Sequence, residues 1–407
     1  MTIQSTHSAM SMQQVADPVL AGWIFARYSA SVAHDWRQVE TRWEALAQDG
    51  AALPFQRCGW LRAWYDTLGR EAGVEPMLVT IRDEIFDRDV VALPLVKRLS
   101  RGLRIVSFAD RGLTDYNAPI LGAGAPTTVS GARNLIAALR KAVEPADILD
   151  LEKMPAEIGG RPNPLLLVDV QDSRLFGNVL HVPGQWDAWH WGLERTFRKE
   201  LERSWRVFSR HDGADFRQIV DREEAVRIFA ELKRLQSERI RDMGLPYVLD
   251  EPAVDSFYDK VLEDGLARGS AVLTALVVKD EVVAALLGVT DGKHYAMVRL
   301  ATAGDAWKNC SPGRLVIERT MKMLHAEGYR SFDFTIGDYA YKRRLGVESV
   351  PLYELRMNLS CRGLPLIAMD RLKRRLRADP LAMACVAWGR DMQAKLIRRR
   401  AAAAAAS

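Results

Sequence analysis

The sequence predicts an α/β protein made of two tandem copies of one domain, each a mixed, mostly antiparallel sheet flanked by helices. Three observations carry the prediction. A chain of 407 residues exceeds what one ordinary core supports and suits two. A strand–turn–strand unit occurs twice, roughly 190 residues apart, far beyond the ~20–50-residue periods of solenoids. The second copy then runs strand, loop, helix and strand, so each copy mixes both element types.

In the first copy, Trp36 to Leu46 and Gly59 to Leu68 read as short amphipathic helices, the second with Trp60, Leu61, Trp64 and Leu68 at spacings of three and four. Glu75 to Arg82 alternates as a strand, Asp83 to Asp89 is a polar turn, and Val90 to Lys97 returns as an apolar run broken by Pro94. Leu103 to Phe108 is a further strand, and Asp115 to Leu121 a loop or short strand. The second copy repeats the hairpin with Ala271 to Val278, a turn at Lys279-Asp280-Glu281, and Val282 to Thr290. Even the spelling recurs, Val90-Val91-Ala92-Leu93 against Val282-Val283-Ala284-Ala285. Between them Gln185 to Met243 is helical. Thr196 to His211 is dense in charge and reads as a solvated face with pairs such as Arg198 and Glu202. Glu224 to Ile240 offers Val226, Phe229, Leu232, Leu235 and Ile240 to a core. The expected divisions are a disordered N-terminus at 1–20, the first copy at 21–180, the second at 181–360 and a basic helical tail at 361–407.

Composition narrows the class. With 48% hydrophobic and 27% charged residues the chain is ordinary for a folded soluble protein. Cys58, Cys310, Cys361 and Cys385 form no metal-binding or disulfide spacing, so reduced thiols and no metal are expected. The polar N-terminus and Arg27 argue against a secretory signal, and no run has the eighteen or so apolar residues of a spanning helix, so a cytoplasmic location is expected. Eleven Lys or Arg against three Asp between Arg362 and Arg400 give that segment +8 and leave the rest of the +5 chain at −3. A nucleic-acid partner is therefore not expected of the folded body. The tail, with Leu381, Cys385, Trp388, Met392 and Leu396 on one stripe, suits either docking on the body or peripheral contact of 361–400 with an anionic membrane.

The chemistry is expected between Tyr295 and Gly346. A strand, Tyr295 to Thr302, feeds the loop Gly304 to Gly313, which opens into a helix from Arg314 to Glu327, and Ser331 to Ile336 forms the next strand. A helix N-terminus placed there turns unpaired N–H groups toward an anion. Ser311 is expected to cap, Pro312 to occupy the first turn and Gly313 to admit a ligand to the backbone. Asp338, just past the strand and a glycine, is the first candidate for a general base. Asp333 is expected either in that role or as a buried partner of Arg299. Tyr341 is a candidate proton donor, and Lys342, Arg343 and Arg344 form a basic cluster suited to a phosphate on an acceptor.

Lys308 to Gly313 resembles the pyrophosphate-binding loop of GNAT (Gcn5-related) acyltransferases, Gln/Arg-x-x-Gly-x-Gly/Ala, with Lys308 at the basic position, Gly313 at the last and Ser311 where the first glycine is expected. Pro54-Phe55 with Trp60-Leu61-Arg62-Ala63-Trp64, the helix Phe197 to Phe208, and Phe332-Asp333-Phe334 with Gly337 and Tyr341-Lys342 are similar to the CelD-like, cellulose-biosynthesis acetyltransferase branch, itself akin to Fem transferases. The resemblance implies two GNAT folds, the second binding acetyl-CoA or another acyl-CoA through Met297, Arg299, Lys308, Ser311, Gly313 and Arg314. Asp338 and Tyr341 would then act in catalysis, and Lys342 and Arg343 would hold a sugar, lipid-linked or other cell-envelope acceptor. A Fem-like transferase using aminoacyl-tRNA and a catalytically silent scaffold of polysaccharide synthesis stay open beside it.

Overall fold

A computed structural model describes residues 27–244 and 248–378. The expected N-terminal segment 1–20 and the tail beyond residue 378 lie outside the described residues. Twelve strands form the spine of one thirteen-stranded sheet. In chain order they are β1 (Tyr28–Ala33), β2 (Val74–Asp83), β3 (Arg88–Ser100), β4 (Leu103–Phe108), β5 (Ile148–Pro155), β6 (Gln171–His181), β7 (Ala214–Ile219), β8 (Ala271–Val278), β9 (Glu281–Thr290), β10 (His294–Thr302), β11 (Ser331–Asp333) and β12 (Glu348–Asn358). The helices are α1 (Glu40–Asp49), α2 (Cys58–Asp66), α3 (Val129–Ala142), α4 (Trp186–Gly192), α5 (Arg195–Phe208), α6 (Arg222–Asp242), α7 (Pro252–Arg268), α8 (Pro312–Ala326), α9 (Ala340–Arg344) and α10 (Leu364–Ala378).

Across the sheet the order is β1-β2-β3-β4-β5-β12-β6-β11-β10-β9-β8-β7. Read from either edge the pairings are the same: three antiparallel steps, one parallel step (β4 with β5, β10 with β11), then an antiparallel step onto a strand from the other half. The tandem architecture is thus written in the topology, with α1, α2 and α3 answering to α6, α7 and α8. The halves exchange their last strands. β12 inserts between β5 and β6, and β6 between β11 and β12.

The central strands are apolar on both faces because both are covered. On β8, Leu273, Ala275 and Val277 join the layer of α1, α2, α6 and α7, while Val272 and Leu276 turn to α5 and α8. β3 does likewise, Ala92 and Val96 facing the shared layer and Val91, Leu93 and Leu95 facing α3. The shared layer is a single core crossing the pseudo-symmetry axis, where Trp60 of α2 meets Phe257 of α7 edge-on with centroids 4.9 Å apart.

Several expectations need adjusting. On α6 the core stripe runs through Ala225, Ile228, Phe229, Leu232 and Leu235, and Val226 is 61% exposed. Phe229, Leu232 and Leu235 hold the expected stripe, and Ala225 and Ile228 take the place of Val226 because β10 and α7 cover that side. On α8, Glu318 is buried beside Arg319 at 2.9 Å. Of the thiols, Cys58 and Cys310 are buried and Cys361 is exposed.

Candidate functional site

β10 and β11 run parallel for only three residue pairs, His294, Tyr295 and Ala296 against Ser331, Phe332 and Asp333. Beyond them β10 continues on β9 alone, so its other edge, from Met297 to Thr302, opens onto a cleft of about 920 Å³. One wall is the start of α8, with Ser311, Pro312, Gly313 and Arg314, and the other is the end of α6, with Leu235, Gln236, Arg239 and Ile240. Phe334, Thr335, Ile336, Tyr339, Tyr341 and Lys342 close it from the β11 side.

The α8 end has the expected proline in its first turn but not the expected cap. Ser311 makes no capping bond and sits left-handed at φ 47, the conformation glycine adopts freely. Its hydroxyl accepts instead from Arg314 Nη2 at 2.8 Å. Arg314 also donates to Glu200 of α5 at 2.9 Å, which fixes the guanidinium at the cleft mouth. A Cβ on Gly313 would stand 3.1 Å from Thr302 Cγ2, so this position faces the end of β10 across the cleft. Lys308 lies at the rim, 74% exposed and paired with Asp305 at 2.6 Å.

Past Asp333 the chain makes a tight turn through Thr335, a β-branched residue at φ 59 and therefore strained. Asn178 of β6 holds it from one side, its Nδ2 donating to the carbonyls of Thr335 (2.7 Å) and Gly337 (3.0 Å), and Lys342 from within. This lysine is buried, and its Nζ donates to the carbonyls of Phe334 (2.7 Å), Thr335 (3.2 Å), Ile336 (3.0 Å) and Gly337 (3.0 Å). Burial lowers its pKa to about 8. The basic cluster expected at 342–344 is thus split three ways. Lys342 is internal, the exposed Arg343 pairs with Asp338, and Arg344 donates to Glu200 at 3.0 and 3.1 Å. Asp338 and Arg343 do not line the cleft, because the chain turns Asp338 outward to 62% exposure. Tyr341 does line it, its phenol pushed up to about 12 by burial.

Asp333 is not the partner of Arg299. It accepts from Tyr116 Oη at 2.8 Å and from the Thr335 amide at 2.6 Å. Tyr116 and its neighbour Asp115, which lines the cleft, belong to the first copy. Gly177 of β6 makes room for Tyr116, since a Cβ there would lie 2.2 Å from its Oη. Burial raises both carboxylates, Asp115 to about 6 and Asp333 to about 7, with the charge of Asp110 adding to the first and that of Asp115 to the second. The acid nearest the cleft therefore comes from a segment that reads in sequence as an ordinary loop, and no local pattern marks it.

In the first copy β4 and β5 also part after three pairs, but the opening is filled. Asn117 donates to the carbonyls of Lys153 (3.0 Å) and Glu152 (3.1 Å), and the buried Lys153 donates to the Thr114 carbonyl and pairs with Asp110 at 2.6 Å. The loop that plugs this copy's parting carries Asp115 and Tyr116 into the other's.

Residues 195–343 match the family described as acetyltransferase (GNAT) domain. No curated protein matches the chain. Among solved structures, FemX superposes with a TM-score of 0.54 at 13% identity, covering 83% of this chain and 99% of its own. A conserved protein of unknown function from Bacteroides thetaiotaomicron gives 0.50 at 10% identity, covering 79% and 98%. A tandem GNAT protein from the clavulanic acid biosynthesis pathway gives 0.43 at 13% identity, covering 82% and 99%. At such identities the likeness is one of fold. Among the described residues no group of acidic, His or Cys side chains could hold a metal ion, and no helix is long and apolar enough to cross a membrane.

Proposed function

We propose that the chain is an acyl-CoA-dependent acyltransferase, most simply of acetyl groups, whose second copy alone holds the thioester. The observation that carries this reading is the parting of β10 and β11 directly before the N-terminus of α8. The free edge of β10 offers backbone groups to an extended pantetheine arm and its thioester carbonyl. The start of α8, with Gly313, Arg314 and Lys308 at the rim, suits the pyrophosphate. The first copy's own parting is plugged, which favours one donor site per chain.

In this reading the acceptor's nucleophile attacks the thioester carbonyl, its proton passes to Asp115, and the carbon–sulfur bond breaks. Tyr341, held neutral by burial, donates a hydrogen bond to the departing sulfur. Lys342 acts by shaping the Phe334–Gly337 turn rather than by touching the acceptor. The acceptor would be a sugar, lipid-linked or other cell-envelope precursor, an idea that rests on the sequence resemblance. Membrane contact through 361–400 belongs to the same idea, and its part beyond residue 378 lies outside the described residues.

The test is acetyl-CoA binding by calorimetry for the wild type and Gly313→Val. The valine side chain would fill the space between α8 and Thr302, and binding is expected to fall by more than about tenfold while the fold survives. Unchanged binding would move the donor elsewhere. A wild type that ignores acetyl-CoA but turns over aminoacyl-tRNA would favour the Fem-like alternative, and one that does neither a scaffold.

A further inference from the structure

The cleft contains a buried cation with an unpartnered nitrogen. Arg299 of β10 is 3% exposed, its Nε donates to Gln236 Oε1 at 2.8 Å, and its guanidinium lies against the rings of Phe229 (5.4 Å) and Tyr258 (4.8 Å). Gln236 is itself fixed, its Nε2 donating to the Leu300 carbonyl at 2.8 Å. The fork is thus held from three sides. Among the described residues its Nη1 has no hydrogen-bond partner and no carboxylate pairs with the guanidinium.

Taking a guanidinium out of water without a counter-charge costs stability. Of the buried lysines of the same region, Lys153 has Asp110 as its counter-charge and Lys342 spends its donors on four carbonyls. Arg299, although it lines the cleft, has no counter-charge among the described residues and keeps one donor nitrogen unpartnered. The side of the sheet it occupies says what could complete it. Phe229 and Tyr258 belong to the α6–α7 layer, whereas α8 packs on the opposite face with Leu315, Val316 and Met321. An anion on the donor is served at the start of α8, so the anion Arg299 lacks would come from the molecule entering along α6.

In place of the acyl-CoA contact that the sequence resemblance implies for it, we propose that Arg299 is the recognition point for an anionic group, a phosphate or a carboxylate, on the acyl acceptor. The bidentate edge of a guanidinium suits either. With the donor phosphates at α8 and the acceptor's anion on Arg299, the two substrates meet across the free edge of β10, where Asp115 also lines the cleft. The word acceptor rests on the acyl-transfer reading, while the anion site itself does not.

The test compares the wild type with Arg299→Met, which keeps the length of the side chain without its charge, and Arg299→Lys. Thermal unfolding at low ionic strength should show Arg299→Met at or above the wild type, because an unpaired buried cation has gone. Inorganic phosphate or acetate should raise the melting temperature of the wild type, less that of Arg299→Lys, and not that of Arg299→Met. A response to phosphate marks a phosphorylated acceptor and one to acetate a carboxylate. Acetyl-CoA affinity should be the same in all three. A marked fall in the stability of anion-free Arg299→Met would make the residue structural and overturn the proposal. So would identical responses of the three proteins to both anions, or loss of acetyl-CoA affinity in the methionine variant. If the wild type does not bind acetyl-CoA, the acyl-transfer reading fails, and the anion response still decides whether Arg299 is an anion site.

Discussion

Two residues of the cleft, Asp115 and Lys342, differ in how visible they are. Asp115 sits at about pH 6 because burial disfavours its charge. A carboxyl raised above its ordinary value favours folding most below pH 4 or so, and this contribution is lost as pH rises toward 6. Asp115→Asn should therefore be at least as stable as the wild type above pH 6. If Asp115 takes the acceptor proton, kcat/KM should climb through pH 6 in the wild type, and the asparagine variant should lose most turnover, by about 100-fold or more, with acetyl-CoA binding intact. A rate profile that keeps its acid limb in the variant would exclude the role. Lys342 was visible in sequence as a charge but not as a buried one, because neighbouring basic residues resemble a solvated cluster until the turn that wraps one of them is known. Its replacement by Met strands the Phe334 and Ile336 carbonyls, those of Thr335 and Gly337 keeping the Asn178 amide, and denaturant unfolding should show a loss on the order of 2–4 kcal/mol.

Among the elements, the hairpins β2–β3 and β8–β9 and the helix α8 were legible because their apolar runs and turns are local. The strands β6 and β12 were not. Gln171–His181 and Glu348–Asn358 are half polar and find their partners far away in sequence, in β11, in β5 and in each other. α3 and α7 went unread for a simpler reason, lying in stretches whose apolar spacing is masked by small residues such as Ala132, Ala137 and Gly265. At α8 the sequence did record a departure with a physical meaning. Ser311 replaces an expected glycine, and the backbone keeps the left-handed conformation a glycine would take. Restoring glycine relieves roughly 1 kcal/mol of strain, offset in part by the lost hydrogen bond to Arg314. Ser311→Gly should thus melt slightly higher and bind acetyl-CoA at least as well. A lower melting temperature would mean that the serine–arginine contact outweighs the strain.

For the whole molecule the exchange of β6 and β12 matters more than the duplication. The repeated hairpin shows two copies in sequence, but nothing local shows that each completes the other's sheet or that α1, α2, α6 and α7 share one core. The division expected near residue 180 falls at the last residues of β6, so a chain cut there separates strands that are paired. The first fragment would lose β12 from beside β5, exposing the edge where Leu149 and Leu151 oppose Met357 and Leu355. It would also lose Phe257 and Tyr258 from around Trp60. An unpaired central edge and half a core leave too little buried surface to offset chain entropy. Fragments 1–181 and 182–407 made separately should therefore aggregate or unfold without a cooperative transition. Made together, they should recover a soluble complex that melts in one step and carries the Tyr116–Asp333 contact. A fragment 1–181 that is monomeric and melts sharply by itself would show the first copy to be an independent domain. The loop bearing Asp115 would then be a docked appendage of the cleft rather than part of its frame.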